Sequence, residues 1–228
     1  DGIRDGATVS AFLLNRSSDL AGQTEENAPG LPGVAHNPEY LSALSSFQST
    51  TLQATAVPSD TDPRQYKVQL QQQLADFRQQ HAHQAGKIDN QVIDIISRLF
   101  DYFFDDQNLP DPIKVLIGRL QIPILKVAIL DQSFFNSTEH PARKLLDSIS
   151  RASLGWSAAG GQESMLVDKL EEIVDVLAHQ FREDIGVFEQ ALQQFLQFLQ
   201  QEKDTVDSNL RQLQQQESQR DQQISEAR

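Results

Sequence analysis

Three carboxylates lie close together at the end of an aromatic stretch, DYFFDD. Asp101, Asp105 and Asp106 could ligate a metal ion or form an acid–base pair. Their spacing does not match a calcium-binding loop, whose oxygen ligands alternate along a longer segment. Carboxylates at the end of a Phe-rich helix also keep that helix solvated. We favour this second interpretation, because a cluster of charges needs a partner group before it indicates a site.

The histidine and serine residues form no stronger candidate site than these carboxylates, and cysteine is absent. His81 and His83 point in different directions if they lie on a helix, and no third zinc ligand is near in sequence. The chain has no cysteine, which excludes thiol chemistry, disulfides and Cys-based zinc sites. The stretch GWSAAGG lacks the lysine and the preceding strand of a phosphate-binding loop, and no G-x-S-x-G turn occurs. We therefore predict no enzymatic activity, no metal ion and no cofactor.

The charge is strongly acidic overall but locally basic. The formal net charge of -13 disfavours nucleic acid and anionic lipid as partners. Between residues 113 and 151, however, six basic residues outnumber three acidic ones. This region could dock an acidic partner, a phosphate-bearing ligand or the chain's own acidic segments, or it could make internal salt bridges. Four of its cations form the predicted basic rim: Arg119, Lys126, Arg143 and Lys144.

The C-terminal third carries the strongest pattern. Apolar residues from Leu170 onwards recur at steps of four and three, with one extra step of four between Phe181 and Ile185. The pattern predicts a long heptad-patterned helix over residues 162–228, fraying after about residue 213, and leaves open whether it is continuous through Gly186. It would bind a partner protein or a second copy of the chain, or fold back on the helix predicted at residues 66–81. The predicted contact residues are Ile185, Phe188, Leu192, Phe195 and Leu199.

The most apolar stretch of the chain does not predict a membrane span. A span needs roughly 20 apolar residues, and three cations interrupt the run NLPDPIKVLIGRLQIPILKVAILDQSFF. Pro123 should divide the run into helices at 111–121 and 123–134. Successive amphipathic helices predict an all-α fold, either a multi-helical bundle or an α-solenoid-like core, with a long C-terminal coiled-coil-type helix. The predicted organisation is short helices and a flexible linker (1–61), a helical core (62–157) and the heptad helix (162–228).

Two adjacent stretches carry a family resemblance. LPDPIKVLIGRLQIPILKVAILDQSFF, followed by HPARKLLDSISRASLGW, resembles domain-of-unknown-function family 1631, most specifically over residues 92–156. The resemblance implies the central portion of a long cytoplasmic proteobacterial protein. Some members carry a thymidine phosphorylase label, but we find no matching phosphate loop or sugar-binding lysine and serine set here. Their terminal regions resemble PilZ-type domains, which implies signalling linked to a cyclic dinucleotide.

Two functional hypotheses follow. The first is a non-enzymatic helical scaffold or protein-interaction module of a larger bacterial cytoplasmic regulatory protein, which associates through the heptad helix. It predicts that Phe188→Asp with Phe195→Asp abolishes association and leaves the core folded. The alternative is a nucleotide or nucleic-acid binder that uses the basic rim, with an affinity that falls as salt rises.

Overall fold

The described part of the protein is built entirely from helices. A computed structural model describes residue 9 and residues 37–54, 61–156 and 163–226. Within these ranges every regular element is an α-helix, which confirms the predicted all-α class. Within the predicted N-terminal region of short helices and linker (1–61), residues 1–36 lie outside the described residues except for Val9, whose backbone is helical. The helices are α1 (Pro38–Ala54), α2 (Pro63–Gln80), α3 (Lys87–Asp105), α4 (Asp111–Arg119), α5 (Gln121–Leu130), α6 (Ser133–Asn136), α7 (Pro141–Trp156), α8 (Glu163–Gln180) and α9 (Gly186–Glu226).

Polar side chains start α1 and α2 as the sequence predicts. The Asn37 side chain accepts a hydrogen bond from the amide of Glu39 at 3.0 Å, and Asp62 accepts one from the amide of Arg64 at 2.9 Å. Each cap satisfies an amide that has no acceptor within its own helix. A proline follows each cap, where its fixed φ suits the first turn and its missing N–H costs little.

The central layer consists of α4 and α5. α4 packs against α2, α3 and α8, while α5 packs against α3 and α1. Residues 121–129 of α5 are all buried, so this helix has no side that faces solvent, and apart from Gln121 and Lys126 these residues are apolar. The arrangement confirms a multi-helical bundle with a buried central helix pair. Its apolar centre includes a broad face of α3: Val92, Ile93, Ile96, Leu99, Phe100, Phe103 and Phe104.

The break between α4 and α5 lies at Leu120, two residues before the predicted break at residue 122. The amide of Leu120 donates to the carbonyl of Ile117 at 2.9 Å, and its carbonyl accepts the amide of Ile124 at 2.8 Å. Pro123 is thus the third residue of α5, where an amide needs no intrahelical acceptor. The predicted second segment, residues 123–134, is itself divided, because α5 ends at residue 130 and Phe134 lies on α6.

Gly118 marks the closest approach of α4 to its neighbours. A Cβ atom there would lie 2.6 Å from Cζ of Phe104 and 2.8 Å from Cε1 of Tyr66. Both aromatic side chains are buried. Glycine is favoured here because the two rings occupy the space that a larger side chain would fill, so one of them would have to shift.

The C-terminal segment forms two helices, which answers the question of continuity that the sequence leaves open. α8 ends at Gln180, and α9 begins after a connection at residues 181–185. Asp184 starts the new helix, since its side chain accepts the amide of Gly186 at 2.9 Å. The break coincides with the extra step of four in the heptad pattern. α9 packs mainly against α7 and α8, not against α2, and its backbone is helical to Glu226.

α1 belongs to the core, which corrects the boundary predicted at residue 61. Tyr40, Leu44 and Gln48 are buried, and α1 packs against α5 and α8. The side-chain amide of Gln48 donates to the carbonyls of Ala178 at 2.6 Å and Phe181 at 3.2 Å. Ala178 lies in the last turn of α8 and Phe181 follows its end, so neither carbonyl has an amide donor within the helix. α1 also extends to residue 54, through residues 49–54 that were predicted as linker.

Candidate interaction surface

The first turns of α9 anchor it to the core. Phe188, Ala191 and Phe195 are buried, with the Phe188 ring edge-on to that of Phe181 at 5.1 Å. From Gln200 onwards the character changes. The side chains of residues 200–220 are exposed except for two that are half-buried. We call residues 200–226 the arm, and at 1.5 Å per residue it extends about 40 Å.

A second apolar face runs along α9 beside the buried one. Its members repeat at steps of four and three, with Lys203 at the heptad position between Leu199 and Val206. The exposed fractions are 47% for Leu196, 53% for Leu210 and 59% for Leu213. Such values are high for large aliphatic side chains in a regular seam. We call this face the leucine strip: Leu192, Leu196, Leu199, Val206, Leu210 and Leu213.

A groove lies at the base of the leucine strip. It has a cavity volume of ≈ 330 Å³, and Leu192 and Leu196 of α9 face Pro141 and Lys144 of α7 across it. Lys144 forms an ion pair with Glu139, which also lines the groove. The strip therefore begins in a shallow groove with a polar rim and continues along an exposed helix.

The structure revises the set of residues predicted to contact a partner. Phe188 and Phe195 are 0% exposed and belong to the chain's own core, so they are not available to a partner. Replacing both with Asp would bury two charges and unfold the core, contrary to the sequence-based expectation. Ile185, Leu192 and Leu199 are half-buried. The sequence missed the distinction because the two adjacent faces of α9 share one heptad pattern.

The four cations of the predicted basic rim do not form one exposed patch. Arg119 is almost buried and forms an ion pair with Asp175 of α8. Arg143 and Lys126 are buried. Only Lys144 has a substantially exposed side chain. The expected rim is thus mostly interior, because α8 and the connection to α9 cover the side of α4 and α5 that was predicted to face solvent.

Lys126 is the most unusual of these cations. Its side chain is 0% exposed, and its Nζ has no hydrogen-bond acceptor among the described residues. The amine lies 5.3 Å from the centre of the Phe181 ring. Burial lowers the pKa of Lys126, the nearby positive charge of Arg182 lowers it further, and the carboxylate of Glu183 opposes both. A buried amine without an acceptor destabilises the fold.

Arg143 and His140 join α7 to the turn before it. The Arg143 guanidinium donates to the main-chain carbonyls of Phe134 at 3.3 Å and Phe135 at 3.2 Å. Nδ1 of His140 accepts the main-chain amide two residues further along at 3.2 Å, as a neutral imidazole does. Burial lowers the pKa of His140, although the Asp131 carboxylate 3.7 Å away opposes the shift. These contacts hold the start of α7 in place and leave no cation free there to bind a ligand.

The other chemical candidates have structural roles. Asp101 and Asp105 lie 3.4 Å and 2.8 Å from Nζ of Lys67, which ties α3 to α2. Asp106 accepts the amide of Asn108 at 2.8 Å in the turn that follows α3. Across the described ranges, no group of three or more His, Cys, Asp or Glu residues could hold a metal ion. None of the described helices is long and apolar enough to cross a membrane.

Most of this bundle matches a known protein family. A family model described as protein of unknown function (DUF1631), 2nd domain, matches residues 34–184. The chain belongs to this family. The DUF1631 match confirms the resemblance seen in the sequence and is consistent with a central fragment of a longer DUF1631 protein. It extends from the start of α1 to the connection before α9, so the leucine strip lies outside it. No curated protein and no solved structure matches the chain.

Proposed function

We propose that this DUF1631 domain and α9 form a non-enzymatic helical interaction module within a larger bacterial cytoplasmic regulatory protein. The bundle acts as the scaffold, and α9 contacts the partner. The exposed leucine strip supports this assignment. One face of α9 is fixed to the core by Phe188 and Phe195, while the neighbouring face presents regularly spaced aliphatic side chains to solvent.

Covering the strip would contribute favourably to association. Fully burying a Leu or Val side chain stabilises by about 1.5–3 kcal/mol. Four members of the strip are about half exposed, so covering them would contribute about 3–6 kcal/mol before the cost of association. Those four residues are Leu196 at 47%, Val206 at 46%, Leu210 at 53% and Leu213 at 59%.

The alternative hypothesis, nucleotide or nucleic-acid binding through the basic rim, gains no comparable support. Lys126 and Arg143 are buried, and Arg119 and Lys144 are paired with carboxylates. A phosphate would have to displace those carboxylates or reach an interior amine. The net charge of -13 adds a long-range repulsion.

The test compares the full chain with a strip variant, Leu196→Gln, Leu210→Gln and Leu213→Gln. A matched control carries Gln194→Ala, Ser208→Ala and Gln215→Ala on the opposite face of α9. Light scattering up to about 100 µM protein measures self-association, and fluorescence anisotropy measures binding of labelled amphipathic helical peptides. We expect association that the strip variant loses and the control keeps. Absence of any strip-dependent association would overturn the proposal.

A further inference from the structure

The residues that flank the leucine strip restrict what can cover it. In the heptad register, Leu196 and Leu210 occupy a positions, and Val206 and Leu213 occupy d positions. The e and g positions on either side decide which helices pair with it, because their charges meet across the seam. From residue 193 to residue 223, these positions carry acids, amides and one buried phenylalanine, and no lysine or arginine: Gln193, Phe195, Gln200, Glu202, Asp207, Asn209, Gln214, Gln216, Asp221 and Gln223.

A second copy of the chain fits the strip poorly in a parallel arrangement. Parallel coiled coils place a g residue opposite the e residue five positions later on the partner, which sets Glu202 against Asp207. In-register pairing also places Lys203, Glu217 and Arg220 at heptad core positions opposite their own copies. Each of these pairs is a like-charge contact, which disfavours the assembly.

An antiparallel second copy gains nothing at the flanks either. That arrangement opposes e with e and g with g, so the flanking pairs again join acids or amides, except where Phe195 takes part. The groove at the base of the strip repeats this character. Glu139 and Glu189 both line it, and Lys144, the cation beside them, is already paired with Glu139. The surface therefore has an apolar centre and an acidic to neutral border along its described length.

We propose that the leucine strip binds an amphipathic helix of a different protein, one that carries an apolar heptad seam bordered by lysine or arginine. This inference rests on the proposed function and names the class of partner. Basic residues at the partner's flanks would pair with Glu202, Asp207 and Glu189, and opposite charge would speed the encounter. Lys203, within the seam, fixes the register by favouring an acidic or amide residue opposite it.

The experiment uses two synthetic peptides of about 28 residues with Leu at every a and d position. One carries Lys at e and g, and the other carries Glu. Each is titrated against the full chain at several salt concentrations by fluorescence anisotropy. We expect the Lys peptide to bind at least about 10-fold more tightly than the Glu peptide, with a difference that shrinks as salt rises. Light scattering of the chain alone should give the mass of a monomer.

Two variants separate seam-specific binding from general attraction to an acidic protein. The strip variant keeps every charge and removes only apolar side chains. If the Lys peptide binds the leucine strip, the strip variant should no longer bind it. A charge-reversed variant, Glu202→Lys with Asp207→Lys, should shift the preference towards the Glu peptide. Both changes lie on the arm, at the two positions between residues 200 and 220 whose side chains are half-buried.

Several results would overturn the inference. If the strip variant still binds the Lys peptide, the binding is a non-specific charge attraction. If both peptides bind equally well, the residues at the e and g positions do not select the partner. A dimer that the strip variant abolishes would make a second copy the occupant, which overturns this inference and leaves the proposed function standing. If neither peptide binds and the chain does not self-associate, both this inference and the proposed function are overturned.

Discussion

Replacing Lys126 with Met should stabilise the protein. A buried donor without a partner costs about 1–3 kcal/mol, and the Phe181 ring offsets at most about 2 kcal/mol of this while the amine is charged. Met fills a similar volume with an unbranched, apolar side chain, so the substitution leaves no large cavity. We expect a net gain of about 1–2 kcal/mol in the free energy of unfolding at pH 7.

The gain should depend on pH in a defined direction. The pKa of Lys126 is lowered in the folded state from the ordinary value of 10.5. Between the folded and the unfolded pKa, the unfolded chain binds more protons, so this lysine's unfavourable contribution becomes smaller as the pH rises. The advantage of Lys126→Met should therefore be largest near neutral pH and shrink towards pH 10.5.

Urea denaturation followed by circular dichroism measures both effects. With a denaturant slope of about 2–3 kcal/mol/M, the expected gain moves the midpoint upwards by about 0.5 M at pH 7. Lys144→Met is the matched control, since that side chain is 41% exposed and paired only at the surface. It should change stability by less than about 1 kcal/mol. A lower midpoint for Lys126→Met, or a gain that is the same at pH 7 and pH 10, would refute the reasoning.

Three further substitutions test the packing and the electrostatics of the bundle. Gly118→Ala should cost about 1–2 kcal/mol, as overpacking against Phe104 outweighs the better helix propensity of alanine, and adding Phe104→Leu should recover part of the loss in the same denaturation assay. Gln48→Leu should cost about 1–3 kcal/mol and speed amide hydrogen exchange in the last turn of α8, since two carbonyls lose their donor. The protein should lose stability as the pH falls below 6.5, because burial lowers the pKa of His140 and the unfolded chain takes up the proton first; His140→Asn should flatten that dependence in midpoints measured from about pH 5 to about pH 7.

Features set by neighbouring residues could be predicted from the sequence. The Asp62 cap, the apolar face of α3 and the overall helical class depend on contacts within a few residues. Hydrophobic periodicity likewise identified α9 as a helix with an apolar seam. The extra step between Phe181 and Ile185 also marked the end of one helix. The step alone also fits a stutter within a continuous helix, and the hydrogen bond of Asp184 is what identifies it as a helix start.

Features set by distant residues could not be predicted from the sequence. Arg119 was placed on a rim because its own helix has a polar side there, whereas its partner, Asp175, lies 56 residues away on α8. Lys126 is likewise covered by a distant residue. The Phe181 ring lies over its amine, and nothing in the sequence around Lys126 predicts that contact. Periodicity shows which face of a helix is apolar, but it does not show which other helix covers a given side.

The hydrogen bonds of Gln48 have a consequence for the order in which the chain folds. They span 130 and 133 residues and join α1 to the end of α8, close to both limits of the matched range. Closing a loop of that length costs about 4 kcal/mol of chain entropy, so this contact should form late and set a slow step. During synthesis the bundle cannot close until Phe181 has been made. α9 is synthesised directly afterwards, so the leucine strip is made only after the last helix of the matched domain. This order shortens the time in which the strip's apolar side chains are exposed beside an unfolded core.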